Sequence, residues 1–199
     1  MESESNPVIG RRGSYAKGVA RRQEILDRAI EVFAERGADG TSLRRIAEAI
    51  GVSHATLLHY FDSREQLLVA VYEHAESLRS AGDDPDATAV EVMVDAATHN
   101  VGVPGMVQLY STLVATAIEE PAGESKEFFT RRFELVRAES ARRLREEQSA
   151  GTVRDDIDAD TLAAMLVALS DGVQTQWLLD PAIDLRHTLS LFSVLLAPR

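Results

Sequence analysis

The residues best suited to chemistry in this chain lie in one short stretch, and the chemistry that they offer is hydrogen bonding. The stretch SHATLLHY spans residues 53–60. A helix over it turns Leu57 inward together with Phe61, because apolar side chains four residues apart share one helix face. The polar side chains then remain outside, and they are Ser53, His54, Thr56, His59 and Tyr60. Small polar groups at the exposed beginning of a short helix are what entry into a DNA major groove requires.

A second short helix precedes this one and must hold it in position. Thr41 or Ser42 can cap that helix, because a short side-chain oxygen satisfies backbone N–H groups of the first turn. Its apolar stripe consists of Leu43, Ile46, Ala47 and Ile50. Gly51 suits the left-handed conformation that commonly ends a helix, and Ser53 then caps the next one. The sequence therefore predicts a helix-turn-helix over residues 41–61.

The charge of the chain is unevenly distributed. The net charge is −11, which by itself disfavours a nucleic-acid partner. Residues 11–64, however, hold ten Lys/Arg against seven Asp/Glu, whereas residues 65–199 hold eleven against twenty-three. Phosphates attract the basic part and repel the acidic part. We therefore expect the N-terminal end to approach double-stranded DNA, although an acidic surface also serves solubility.

The composition of the chain is that of a soluble globular protein. A length of 199 residues can bury a core and predicts one or two domains. No apolar run approaches the roughly 20 residues that span a bilayer, and the N-terminus has no apolar signal segment. Cysteine is absent, which excludes disulfides and thiol catalysis. We expect a cytoplasmic protein that does not associate with membranes.

Other kinds of chemistry find little support in the sequence. The five histidines show no tight ligand spacing, so neither a metal nor another cofactor is expected. Asp156, Asp158 and Asp160 have the alternate spacing of a calcium loop, but Thr161 stands at the glycine position and Val167 at the distal glutamate. These acids instead favour the beginning of a helix. There is neither a nucleophile elbow nor a phosphate-binding glycine loop, so an enzyme is not predicted.

The spacing of apolar residues predicts helices in the remainder of the chain and no convincing alternating strand. Residues 1–18 are polar and predict a flexible basic arm, with a merely solvated tail as the alternative. The first helix is expected from about Val19 to Arg36, and Ser63 with Gln66 predicts a capping box for the fourth. Later helices are expected at about 86–100, 106–119, 125–149, 160–179 and 185–197. The predicted fold class is all-α, with a three-helix DNA-binding domain over residues 19–65 and a larger helical domain over 66–199.

The last two helices carry more apolar surface than a small helical body is able to hide. Their apolar residues are Leu162, Met165, Leu166, Leu169, Leu185, Leu189, Phe192 and Leu196. We therefore predict that these helices pair with the same helices of a second copy, in a four-helix contact with two-fold symmetry. The predicted assembly is a homodimer.

Polar and aromatic side chains on otherwise apolar helices of the body are the candidates for binding a small molecule. They are Gln108, Tyr110, Thr112, Thr116, Phe129, Gln174 and Trp177. Buried polar groups need partners, which a ligand or neighbouring side chains can supply. No charged residue interrupts the segment 106–118, which favours a neutral or apolar ligand. A quaternary ammonium ligand would need an aromatic cage, which Trp177, Tyr110, Phe128 and Phe129 could supply if the fold brought them together.

The stretches AIEVFAERGADGTSL and RRIAEAIGVSHATLLHYFDSREQLL closely resemble the DNA-binding domain of the tetracycline-repressor (TetR) family over roughly residues 20–75. Matching features are Phe33, Gly37, Thr41, Ile46, Ala47, Gly51, Val52, Ser53, Leu57, His59, Tyr60, Phe61 and Arg64. The body resembles one type of ligand-binding domain in that family less closely. The resemblance implies a homodimeric transcriptional regulator, usually a repressor, that leaves its palindromic operator when a small molecule binds.

The resemblance also implies roles for individual residues. Thr41, His59, Tyr60 and Arg64 would contact phosphates, and His54, Ala55 and Thr56 would face base edges. Two interpretations of Arg45 are open: it contacts a phosphate, or it lies on a solvated helix face. His54 stands where Lys is frequent and Leu58 where Tyr is frequent, which puts one common phosphate contact in doubt. An activator, a response to a protein, and a helical module that has lost DNA binding remain alternatives.

Overall fold

The residues that the structure describes form ten α-helices and no strand, which confirms the predicted all-α class. The structure is a computed structural model of the chain, and it describes residues 10–36, 43–80, 84–120 and 122–198. The helices are α1 Gly10–Arg36, α2 Leu43–Ala49, α3 His54–Tyr60, α4 Arg64–Ser80, α5 Ala89–Gly102, α6 Met106–Glu119, α7 Glu124–Ser149, α8 Ala159–Leu179, α9 Leu185–Ser190 and α10 Phe192–Leu196.

The beginning of α1 differs from the sequence prediction. The helix starts at Gly10, so residues 10–18 are helical instead of forming a flexible arm. Extending an existing helix is easier than nucleating a new one, so the helix continues through this segment although three of its nine residues are glycine. The rest of the predicted arm, residues 1–9, lies outside the described residues.

Short polar side chains begin several helices, as the sequence predicts. The hydroxyl of Ser63 accepts a hydrogen bond from the Gln66 backbone N–H at 2.9 Å. The Gln66 side chain, however, accepts from the Asp62 N–H and not from that of Ser63, so the predicted capping box is shifted by one residue. Asp158 caps α8 by accepting from the Thr161 N–H at 2.8 Å, as predicted for this loop, whereas Asp156 pairs with Arg154.

Buried apolar side chains form two clusters that divide the molecule. The first cluster joins α1–α4 to α6 and to the N-terminal part of α7, through residues such as Leu57, Leu67, Leu109 and Phe129. The second joins α5 to α8, α9, α10 and the C-terminal half of α7. The helix-turn-helix therefore shares its core with α4, α6 and α7, because the packing has no break at residue 65.

The C-terminal helices bury most of the residues that the sequence assigns to a dimer contact. Leu162, Leu166, Leu185, Leu189, Phe192 and Leu196 are each at most 5% exposed and belong to the second cluster. That assignment is wrong for these six, because a side chain already inside its own subunit has no surface left to give a partner. Met165 is 48% exposed, and Leu169 is half-buried. The single predicted helix over 185–197 is also interrupted at Leu191.

Helix α6 is not buried on all sides, although its composition predicts this. Leu109 and Leu113 are inside the first cluster, but Ile118 is 73% exposed at the other side of the helix. Within the described ranges, no single helix has both the length and the apolar composition of a membrane span. Only α5 and α6 taken together reach that composition, and they are bent by 105° relative to each other.

Candidate nucleic-acid interface and interior cavities

A tight turn fixes the angle between α2 and α3. Gly51 adopts φ 71°, the left-handed conformation predicted for it. The Val52 N–H donates to the Ala47 carbonyl at 2.9 Å, and the Gly51 N–H donates to that of Glu48 at 3.3 Å. This pair of bonds is the Schellman motif, which satisfies carbonyl groups left open at the end of α2. A side chain at residue 51 would strain this conformation.

The beginning of α3 is held by two of the predicted contact residues. The Ser53 hydroxyl accepts from the Thr56 N–H at 3.0 Å. It also lies 2.7 Å from the Thr56 hydroxyl. Ser53 therefore caps the helix, and the two hydroxyl groups partly satisfy each other while remaining near the surface.

The outward face of α3 brings together small and polar side chains. His54, Ala55 and His59 are exposed, and Leu58 is 46% exposed among them. Leu57 on the opposite side is fully buried in the first cluster. Because one face of this helix is anchored and the other is open, α3 can present its exposed face to a groove as a rigid unit.

The C-terminal end of α3 places an aromatic pair at the border of this surface. The His59 and Tyr60 rings meet edge to face with centroids 5.0 Å apart. Tyr60 is half-buried and packs on the first cluster. Arg45 on α2 is exposed and Arg64 at the start of α4 is half-buried. Thr41, the remaining predicted contact, lies outside the described residues.

Two arginines of α1 brace this arrangement. The Arg28 guanidinium donates to the Ile50 carbonyl at 3.2 Å, next to the turn. The guanidinium of Arg22 lies 5.1 Å from the centre of the Phe61 ring, a cation–π contact. Arg21, also in α1, pairs with Glu24 of the same helix. Part of the N-terminal basic charge is thus engaged in holding the helix-turn-helix together.

Comparison with known proteins agrees with this geometry. The model for bacterial regulatory proteins of the tetR family matches residues 25–71. An HTH-type transcriptional repressor of Mycobacterium tuberculosis is 31% identical over 156 residues, which are 77% of this chain and 80% of the relative. The chain belongs to the tetR family of bacterial regulatory proteins. As a member of a DNA-binding regulatory family the regulator is not an enzyme, as its sequence predicts.

Solved structures show the same fold. A TetR-family transcriptional regulator from Rhodococcus sp. aligns with a TM-score of 0.69 at 24% identity, over 88% of this chain and 97% of that one. A transcriptional regulator from Saccharomonospora viridis, whose crystal structure is a complex with choline, aligns with a TM-score of 0.65 at 24% identity. That alignment covers 91% of this chain and all of the other chain.

The body of the regulator contains an outer cavity of about 400 Å³ between α4, α5 and α7. Most of the surface of its walls is apolar, although five of its twelve lining residues are charged. Its volume lies in the range of small-molecule sites. The lining residues are Glu73, Glu76, Ser77, Arg79, Val92, Met93, Ala96, Arg132, Leu135, Val136, Glu139 and Ser140.

An inner cavity of about 30 Å³ lies behind it, towards α6 and α8. The two cavities share Met93, Ala96, Arg132 and Val136, so these four side chains form the wall between them. The inner cavity is polar at its far end, where Asn100 and Gln174 lie 3.5 Å apart and Gln174 also donates to Ser170. Its volume is that of about one water molecule.

Arg132 is the central charged group of the wall. Its Nε donates to both carboxylate oxygens of Glu76, at 2.9 and 3.1 Å, and Nη2 completes the pair. The guanidinium also lies 5.5 Å from the centre of the Tyr72 ring and 5.4 Å from that of Tyr110. An ion pair and two aromatic faces therefore fix its position.

Tyr110 and Asp171 form a second polar contact at the inner cavity. The phenol hydroxyl donates to the Asp171 carboxylate at 2.8 Å. Burial raises the pKa of Asp171, and the hydrogen bond from Tyr110 and the charge of Arg132 offset part of that rise. Burial likewise raises the pKa of Tyr110, with the charge of Asp171 adding to the effect. The phenol therefore remains protonated at neutral pH and serves as the donor.

Only some of the residues predicted to bind an effector lie at a cavity. Tyr110 and Gln174 line the inner cavity, and Phe129 packs behind Tyr110 with ring centroids 5.5 Å apart. The others line neither cavity, because their helices turn them elsewhere. Gln108 is exposed, Thr116 donates to the Thr112 carbonyl at 2.9 Å, and Trp177 packs on the second cluster.

Two charged residues that face the inner cavity were not predicted from the sequence. Arg132 comes from α7 and Asp171 from α8, whereas the neutral ligand was inferred from the composition of segment 106–118 alone. A signal was present, since Arg132 follows Phe128 and Phe129 at the helical spacing of one face. Among the residues that the structure describes, no group of His, Asp or Glu is arranged to hold a metal ion.

Proposed function

We propose that this regulator is a homodimeric repressor that binds palindromic operator DNA and releases it when a small molecule occupies the body. One observation carries the proposal. The first apolar cluster is continuous from Leu57 in α3 to the helices α4 and α7 that line the outer cavity. A change in the cavity therefore reaches the exposed face of α3 through packed side chains rather than across a flexible linker. The similarity to an HTH-type transcriptional repressor of Mycobacterium tuberculosis supports repression rather than activation.

On DNA, the beginning of α3 enters the major groove. His54, Ala55 and Thr56 face base edges, while Arg45, His59, Tyr60 and Arg64 contact phosphates, joined by Thr41 and by the Ser53 cap. Exposure of His54, Ala55 and His59 supports these roles. Residues 19–65 then form the DNA-binding domain and residues 66–199 the domain for ligand and partner. Since its target is genomic DNA, the regulator acts in the cytoplasm.

The second copy docks on the outer faces of α8 and α10. Met165, Leu191, Val194 and Leu195 are between 47% and 67% exposed there, and Leu169 is half-buried beside them. Exposed apolar side chains of this kind on the C-terminal helices suit an isologous contact. The dimer sets its two α3 helices one turn of DNA apart, about 34–36 Å.

A ligand changes DNA affinity only by its differential affinity for two conformations. The outer cavity borders α4, the helix that follows α3 directly. An effector that favours another position of α4 changes the separation of the two α3 helices, and the operator then binds less tightly.

The choline-bound neighbour suggests a comparison of ligand chemistry. Choline is a quaternary ammonium ion, and such ions bind over aromatic faces. In this regulator Tyr72, Tyr110, Phe128 and Phe129 do form an aromatic group, but the cation over Tyr72 and Tyr110 is Arg132 itself. Trp177 belongs to the other cluster. The effector of this chain therefore belongs to a different chemical class.

Electrophoretic retardation with DNA from around its own gene tests the proposal. We expect a specific complex with a near-palindromic site. Affinity should fall steeply with salt, by about one power of ten per power of ten in salt for each phosphate neutralised. A complex that is insensitive to salt contradicts DNA binding through this surface, and a monomer in light scattering contradicts the dimer.

A further inference from the structure

Glu76 and Arg132 tie α4 to α7 at the edge of the outer cavity. The two residues are 56 positions apart in the chain, and their side chains are 26% and 18% exposed. A bidentate pair of this kind is geometrically specific. The pair is also sensitive to the loss of either member. A shielded guanidinium that loses its carboxylate keeps a positive charge that nothing compensates. A ligand that enters the outer cavity therefore contacts this pair.

The charged surroundings of the pair restrict the ligand. Glu73, Arg79 and Glu139 lie at the outer cavity, and Glu139 is already paired with Arg142 and Arg143. Asp171 faces Arg132 from the inner side and accepts from Tyr110. The guanidinium is thus the single cation in the wall that both cavities share.

Three classes of ligand behave differently at this wall. A cation finds the position over the two tyrosine rings already occupied by the Arg132 guanidinium. A neutral molecule leaves the Glu76–Arg132 pair in place, so it does not favour another position of α4. A carboxylate can replace Glu76 one for one, because Arg132 keeps an anionic, bidentate partner throughout.

We propose that the effector is an amphipathic monocarboxylic acid whose carboxylate takes the place of Glu76 on Arg132. This inference rests on the proposed ligand-released regulator and specifies its ligand. The apolar body lies along Val92, Met93, Leu135 and Val136, which supply apolar surface to the outer cavity. Leu135 is 64% exposed, so covering it contributes to affinity.

The exchange breaks the contact between α4 and α7 at only one end of α4. Near its beginning, the Glu65 side chain accepts a hydrogen bond from the Ser125 N–H of α7 at 2.7 Å. With Glu76 detached and Glu65 still held, α4 can tilt about its N-terminal end. That end is joined to α3 by only a few residues, so a tilt there alters the presentation of α3.

The test uses the full chain and octanoate as the probe, with 1-octanol and octyltrimethylammonium as neutral and cationic analogues of equal chain length. Calorimetry without DNA should show binding of octanoate and weaker or no binding of the other two. Arg132→Met should weaken octanoate binding by about tenfold or more. Arg137→Met, which removes an exposed arginine of the same helix, should leave it unchanged.

Glu76→Gln separates the exchange from simple loss of structure. This variant removes the competing carboxylate, so octanoate should bind severalfold more tightly, while DNA binding without ligand should weaken. Damage to the fold would weaken both, and circular dichroism checks that each variant is folded. Arg132→Lys, which keeps the charge but not the bidentate geometry, should lie between wild type and Arg132→Met.

Two results would overturn the inference. They are equal or tighter binding of octanol or octyltrimethylammonium, and unchanged octanoate binding by Arg132→Met. Failure of the proposed function has a different signature. If octanoate binds as expected in calorimetry but no operator complex forms in retardation assays, the ligand class stands and the repressor assignment falls.

Discussion

Glu65 caps a helix that begins 59 residues after it in the chain. Its Oε1 lies 2.7 Å from the backbone nitrogen of Ser125, in the first turn of α7. The N-cap residue of α7 is Gly123, which has no side chain to offer, so a carboxylate from α4 satisfies that turn instead. The negative charge also suits the positive end of the helix. The beginning of α4, next to the DNA-binding helices, is thereby fixed to the body.

Removing this cap should destabilise the protein. We expect Glu65→Ala to lower the free energy of unfolding by about 1 kcal/mol, as for the loss of a helix cap. Gly123→Ala should have a similar effect, because its Cβ would lie 2.8 Å from Oε1 of Glu65. Since both changes disrupt one hydrogen bond, their combination should cost less than the sum. Urea unfolding of the two variants and the double variant measures this.

Ser125→Ala is the matched control for the cap. The Ser125 hydroxyl is buried and finds no hydrogen-bond partner within the described part of the chain. The substitution keeps the backbone N–H that Glu65 binds, so we expect stability to be retained or slightly increased. A loss as large as that of Glu65→Ala would mean that the side chain, rather than the backbone contact, holds this junction.

Two substitutions in the DNA-binding surface should have different signatures. His54→Ala removes an exposed imidazole at the beginning of α3, so we expect altered base preference in a binding-site selection. Arg64 lies at the start of α4. Arg64→Ala should weaken binding to all DNA sequences alike and make the affinity less dependent on salt concentration. The opposite pattern would reverse the assignment of these two residues.

Neighbouring residues on α8 should separate dimerisation from folding. Met165 is 48% exposed, whereas Leu166 is fully buried. We expect Met165→Glu combined with Leu195→Glu to produce folded monomers in light scattering, with an unchanged circular dichroism spectrum. Leu166→Ala should instead lower the free energy of unfolding by about 2–5 kcal/mol. A dimer that survives both glutamates would place the contact elsewhere.

The ion pairs of Glu139 predict a pH dependence of stability. Hydrogen bonds from Arg142 and then from Arg143 lower the pKa of Glu139 to about 2. A carboxylate with a lowered pKa in the folded state stabilises above its ordinary pKa of 4.5, and this contribution is lost as the pH falls towards 2. Glu139→Gln should therefore be less stable than wild type at pH 7, by up to about 1 kcal/mol because the pair is half exposed.

Urea unfolding between pH 7 and pH 2 measures this difference, which should vanish at the acid end. Glu134→Gln is the control, since Glu134 is exposed on the same helix and forms no ion pair with a described residue. A constant difference for Glu139→Gln over the whole range would exclude its titration as the cause.

Local features of the fold and of the DNA-binding surface were predictable. The bounds of α6 are those expected from its sequence, and Gly51 has the left-handed conformation that its position indicates. Ser53 and Asp158 cap the helices that they precede. These features depend on hydrogen bonds between residues a few positions apart. The resemblance of residues 20–75 to a family then identified the surface that they build.

Placement of side chains on the C-terminal helices was predicted less well. Leu166 and Met165 are adjacent and both apolar, yet only the first is inside the subunit. Apolar character alone does not reveal whether a residue packs within its own chain or remains exposed. The same limit applies to Gln108 and Tyr110, of which only Tyr110 reaches a cavity.

Local sequence patterns are sufficient to predict the all-α class, the positions of most helices and the exposed polar face of α3, because turns, caps and periodicity are encoded within a few residues. Tertiary structure alone decided the contacts that join α4 to α7. Glu76 meets Arg132 across 56 residues and Glu65 meets Ser125 across 60. Such pairs form only when apolar packing has brought their helices together, since no local hydrogen-bond rule relates residues so far apart.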